Sequence, residues 1–169
     1  MLKIIHDIQP FIEDNYRRIN VREYARIQKI SAPTASKILS SLNKEGILKK
    51  ESDKQYIYYY ADKESTLFID LSRIYWRSSL EHSGLITCLE AELLNPLIIL
   101  FGSLSKAEAK QDSDIDLAVF SATKKDIPLE KYEKKLKRNI QLMLFQKRDD
   151  VSPELLNNIL NGYIIAGSW

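Results

Sequence analysis

Apolar positions along this chain change their period several times, and each change marks an element. Tyr24, Ala25, Ile27 and Ile30, then Ala35, Ile38, Leu39 and Leu42, recur at helical spacing and predict two short helices. Asn20 with Glu23 three residues on has the form of a cap for the first, and Ser31 followed by Pro33 and Thr34 opens the second, which Gly46 ends. Residues 47–50 and 55–60 read as two strands joined through a polar turn at 51–54. Residues 65–80 place Leu67, Phe68, Leu71, Ile74 and Tyr75 on one helical stripe, with Trp76 and Arg77 at its flank. Such a stripe is core between domains, and a homodimer seam is its alternative reading. A second helical run over 85–94 stops before Pro96, which disfavours continuation. From Leu97 the order becomes strand, Gly-Ser loop, polar segment, strand (115–120), helix (about 127–138), strand (140–145), short helix after Pro153, and a last apolar run at 163–165. That order predicts an α/β layer on a small mixed sheet.

The outer face of the second helix carries Thr34, Ser36, Lys37, Ser40, Ser41 and Lys44, short hydroxyls and cations able to approach a phosphate backbone or a base edge. Charge supports this. The net charge is only +2, yet 12 basic residues face 9 acidic ones in residues 1–64 against 13 facing 14 in the rest. Between residues 17 and 54 ten basic residues stand against four acidic ones, the distribution expected of a polyanion-binding surface. The stretch SAPTASKILSSLNKEGILKK resembles the recognition helix and wing entry of winged-helix transcription regulators, over about residues 3–62. The resemblance implies a winged helix-turn-helix that binds double-stranded DNA, with Lys54 at the wing tip. A protein–protein module with a solvated polar face is the alternative.

Candidate chemistry concentrates in FGSLSKAEAKQDSDIDLAVF. Ten residues separate Ser103 from Asp114, and Asp114 and Asp116 stand two apart, so on a strand they share a face. Two adjacent carboxylates repel, and a divalent ion that also binds substrate phosphates relieves the repulsion. Gly102-Ser103, the spacing and DSDIDL together resemble the DNA polymerase β nucleotidyltransferase superfamily, and at this length its minimal members, over about residues 84–167. The resemblance implies that the backbone of Gly102 and the hydroxyl of Ser103 hold the terminal phosphates of ATP or another NTP, that Lys106 adds charge there, and that Asp114 and Asp116 hold Mg²⁺ or Mn²⁺ in a two-metal arrangement. Relatives complete the site with a third carboxylate on a later strand. Here that position aligns with Gln141, a neutral amide. Asp149 and Asp150 lie beyond the strand and are the next candidates.

Composition excludes little more. A hydrophobic fraction of 44% supports an ordinary core, and the apolar runs near residues 97–101 and 140–145 are too short to span a bilayer. The N-terminus lacks a signal peptide's pattern, so a cytoplasmic location without membrane contact is expected. Cys88 is alone and reads as a small buried residue, and His6 and His82 read as surface or capping residues. The expected fold is α+β, with a winged helix-turn-helix at 1–64, a helical connector at 65–83 and a small α/β nucleotidyltransferase domain with a mixed sheet at 84–169. The expected function is a DNA-binding protein that binds Mg-NTP, a regulator or antitoxin with weak or lost turnover. The alternatives are an active enzyme moving AMP from ATP to a hydroxyl on a small molecule or a protein, such as a partner toxin, and a structural adaptor.

Overall fold

A computed structural model describes residues 3–169, which divide into two compact units, one of residues 3–75 and 107–111, the other of residues 76–106 and 112–169.

The first unit opens with helix α1 (Lys3–Ile12), which buries Ile5, Ile8, Phe11 and Ile12. Pro10 inside it has no N–H for the carbonyl four residues back. Gln28 takes that place, donating from Nε2 to the oxygen of His6 at 3.0 Å, while Tyr24 donates its hydroxyl to the oxygen of Asp7 at 2.7 Å. Burial and the neighbouring Asp7 push the Tyr24 phenol well above its ordinary value. Strand β1 (Ile19–Asn20) leads into α2 (Val21–Gln28), whose cap is Asn20, accepting from the N–H of Glu23 at 3.0 Å. Lys29 in the left-handed region ends it, and Ser31 caps α3 (Ala32–Lys44) by accepting from the N–H of Thr34. Both caps stand where the sequence put them, and truncating either to alanine costs about 0.5–2 kcal/mol.

Gly46, at φ +70°, ends the approach from α3, and β2 (Leu48–Asp53) and β3 (Tyr56–Ala61) form an antiparallel hairpin. The expected turn at 51–54 is displaced. Asp53 pairs with Tyr56, so the loop is only Lys54-Gln55, and Glu51 to Asp53 belong to the strand despite their polarity because that strand is exposed. β3 lies between β1 and β2.

Helix α4 (Thr66–Ser83) follows, and the boundary between the two units falls within it, after Tyr75. Its buried stripe is Phe68, Leu71, Ser72, Tyr75, Trp76 and Leu80, whereas Leu67 and Ile74 are 45% and 42% exposed. The sequence stripe was therefore one position too wide, since residues 67 and 74 lie about 100° before the buried line.

In the second unit α5 (Leu85–Glu92) precedes β4 (Leu97–Phe101), a short helix α6 (Gly102–Ser105), β5 (Ile115–Phe120), α7 (Glu130–Leu136), β6 (Ile140–Phe145), α8 (Pro153–Leu160) and β7 (Tyr163–Ala166). The sheet order is β6-β5-β4-β7, with β5 parallel to β6 and the other pairs antiparallel, so the mixed sheet is present. One face buries Leu97, Ile99, Phe101, Ala118 and Phe120 against Val151 and Ile159, with Met143, Phe145, Leu155 and Leu156 packed on them. Helix α7 is shorter than the expected 127–138: Pro128 disfavours a helical Ile127, and Lys137 in the left-handed region ends the helix. Cys88 is half-buried, not buried.

Candidate nucleotide site

The antiparallel register of β4 and β5 sets Phe101 opposite Asp116. Directly after Phe101 the chain turns at Gly102, with φ +70°, into α6. The Gly-Ser pair is thus the first turn of a short helix and not a loop. A Cβ on Gly102 would lie 2.2 Å from Oδ2 of Asp116. Two demands therefore meet at Gly102, a left-handed backbone and room for a carboxylate against its Cα. Ser103 follows, half-buried, and Ser105 donates its hydroxyl to the oxygen of Gly102 at 2.9 Å, closing the turn. Lys106 ends α6 and is exposed.

Asp116 is half-buried, and that burial, then the neighbouring Asp114, raises its carboxyl above the ordinary 3.8. Asp114 sits one residue ahead of β5 and is held from the far side by two amides. Gln141 donates from Nε2 to Oδ2 of Asp114 at 2.7 Å, and Asn139 donates from Nδ2 to Oδ1 at 3.2 Å. Gln141 pairs with Asp116 in the parallel register of β5 and β6. It therefore shares the face of Met143 and Phe145, with Asp116 beside it. The loop ahead of Asp114 is fixed by Arg138, which donates to the oxygen of Ser113 at 2.6 Å and lies over the Trp76 ring at 5.0 Å. Asn139 and Arg138 escaped the sequence reading. The alternation Asn139, Gln141 on a strand, both aimed at one face, was the signal available for Asn139.

Asp149 and Asp150 lie elsewhere. They form a 3₁₀ turn after the far end of β6, where Asp150 accepts from the N–H groups of Gln146 and Lys147 at 3.2 Å each. Six residues of strand separate that turn from Asp114, about 20 Å at 3.3 Å per residue.

The donor set fits one hard divalent ion better than two. Asp114 and Asp116 supply carboxylate oxygens, and such an ion completes its shell with phosphate oxygens and water. No cluster of three or more His, Cys, Asp or Glu exists among the described residues. The position for a third carboxylate holds an amide whose N–H already satisfies Asp114.

On the first unit, Thr34, Ser36, Lys37, Ser41 and Lys44 are exposed along α3 and Ser40 is half-buried. Thr34 shares its hydroxyl with Ser31 at 2.8 Å, and Ser41 donates to Glu45 at 3.0 Å. Lys54 stands exposed in the hairpin loop at φ 55°. Lys37, Lys44 and Lys54 form no ion pair among the described residues, whereas Arg17 pairs with Glu23, Arg18 with Glu51, and Lys49 with Asp62 and Glu64.

Residues 89–167 match the family model described as Polymerase beta, Nucleotidyltransferase. A nucleotidyltransferase-family domain is present in this chain. The match begins within α5 and takes in Gly102, Ser103, Asp114, Asp116 and Gln141, while the first unit's helices and hairpin lie outside it. No curated protein matches the sequence. Among the described residues no helix is long and apolar enough to cross a membrane.

Proposed function

We propose that this is a DNA-binding protein whose nucleotidyltransferase-family domain binds a magnesium nucleotide and turns it over weakly or not at all, acting as a regulator or as an antitoxin toward a partner protein. The observation that carries the reading is the Gln141 amide seated on Asp114. Two carboxylates suffice for an ion that rides in with the nucleotide's phosphates. The second ion, which lowers the pKa of an attacking hydroxyl, needs charge that an amide does not supply.

In this reading Asp114 and Asp116 hold the ion, Gly102 and Ser103 face the terminal phosphates, and Lys106 adds positive charge beside them. An ion held by Asp114 and Asp116 would neutralise the phosphates and ease the mutual repulsion of the two carboxylates. Asn139 and Gln141 orient Asp114, and Arg138 fixes the loop that precedes it. Gln141 Nε2 leaves Asp114 only if its amide turns, and its carbonyl oxygen then becomes a neutral, weak metal ligand.

For the first unit, the order of helix, short strand, helix, helix and hairpin, with β3 central, supports a winged helix-turn-helix. The lysines of α3 and of the hairpin loop, which form no ion pair among the described residues, suit contact with a phosphate backbone.

The reading is tested with labelled ATP, Mg²⁺ and cell extract, comparing wild type with Gln141→Asp. Wild type should bind Mg-ATP by calorimetry and transfer no label, while Gln141→Asp, which restores the third carboxylate, should gain transfer. Robust transfer by wild type that survives Gln141→Ala would instead establish the active enzyme, moving AMP to a protein or small-molecule hydroxyl.

A further inference from the structure

The ten residues joining Ser103 to Asp114 are not all part of the unit that carries those two residues. The chain leaves the second unit after Lys106, lends residues 107–111 to the first, and returns at Asp112. Within the first unit these residues meet Asn15. Asn15 is 2% exposed, and Ala109 and Ala107 are 0% and 1% exposed. The N–H of Asn15 donates to the oxygen of Ala109 at 2.8 Å, and the N–H of Ala109 donates to Oδ1 of Asn15 at 2.6 Å. The other end of the amide is also used, since Nδ2 donates to the oxygen of Phe11 at 2.8 Å, at the end of α1. Ala107 sits in the left-handed region at φ 56°, a conformation an alanine keeps only when its surroundings dictate it.

We infer that Asn15 is a positioning residue for the nucleotide site. It grips Ala109 and so fixes the segment whose two ends set the phosphate-facing Ser103 and the metal-facing Asp114. The inference rests on the nucleotide reading above and adds a regulatory route to it. A ligand that shifts α1 or Asn15 changes the restraint on this segment, and by thermodynamic reciprocity Mg-nucleotide changes the order of the first unit. An asparagine here for the fold alone would satisfy the end of α1 equally well but would not make residue 109 respond to a nucleotide.

The experiment uses the full chain and two readouts, calorimetry with Mg-ATP and amide hydrogen exchange with and without it. Mg-ATP should slow exchange at the Ala109 amide in wild type. Asn15→Ala should weaken Mg-ATP binding by about three- to thirtyfold, the span of coupling changes seen for residues that touch neither ligand. Ala107→Gly frees the strained backbone at the loss of a single buried methyl group, and should weaken binding in the same direction if Asn15→Ala fails to fold. Unchanged exchange at Ala109, or a folded variant that binds as tightly as wild type, would overturn the inference while leaving the nucleotide site in place. Absence of Mg-ATP binding by wild type would remove the nucleotide reading and this inference with it.

Discussion

The exposed face of α3 and the carboxylate pair at the head of β5 treat charge in opposite ways. Lys37 and Lys44 stand in solvent with no ion pair among the described residues, so their charges are hydrated and cost the fold nothing. Asp116 is half-buried beside a second carboxylate, and burial first, then that neighbour, raises its carboxyl. A hydrated surface contributes one contact at a time, in proportion to the counterions it displaces. A pair held under repulsion is ready for one kind of occupant, and it depends on the geometry of everything around it. Neutral amides from Asn139 and Gln141 donate to Asp114 and bring no positive charge.

That contrast is tested most severely by removing the pair. Asp114→Ala/Asp116→Ala should abolish Mg-ATP binding in calorimetry, a loss of at least about a hundredfold, while leaving duplex DNA binding unchanged. Equal binding by the double variant would refute the site assignment. Gly102→Ala comes next. Its Cβ would strike the Asp116 carboxylate and its φ of +70° disfavours any side chain, so unfolding in urea should report a loss of about 1–3 kcal/mol together with weakened nucleotide binding.

On the α3 side the effects should be graded. Lys37→Ala with Lys54→Ala should flatten the dependence of log affinity for duplex DNA on log salt by about two units, read by fluorescence anisotropy across a salt series. A slope that does not change would remove these two lysines from the phosphate contacts.

The smallest effect concerns stability against pH. The Asp116 carboxyl is raised in the folded protein above its unfolded 3.8, so ionising it favours unfolding. The penalty is complete above the folded value and vanishes as the pH falls below 3.8. Asp116→Asn should therefore unfold at higher urea than wild type at pH 7, and the two midpoints should converge below 3.8. A variant less stable than wild type at neutral pH would mean that Asp116 is stabilised by contacts and not merely tolerated.

Much of the architecture was legible in the sequence because the interactions that encode it are local. Asn20 reaches the N–H of Glu23 and Ser31 that of Thr34, three residues on, so both caps could be read from spacing alone. The all-apolar run of β4 and the paired aspartates with their Gly-Ser turn are likewise properties of short stretches. Periodicity was a weaker guide at edges, where Leu67 and Ile74 of α4 proved exposed and the polar strand at 51–53 read as a turn.

What the sequence determined by itself was therefore which elements form and that two carboxylates stand side by side at the head of a strand. What only the tertiary structure decided was how those residues are partnered. Gln141 on Asp114, Arg138 on the oxygen of Ser113, and Asn15 on Ala109 join positions 27, 25 and 94 residues apart. No periodicity spans such separations. Each contact depends on strand register and on which segment packs where, and a one-residue slip of β6 against β5 would turn Gln141 to the opposite face and leave Asp114 without its amide.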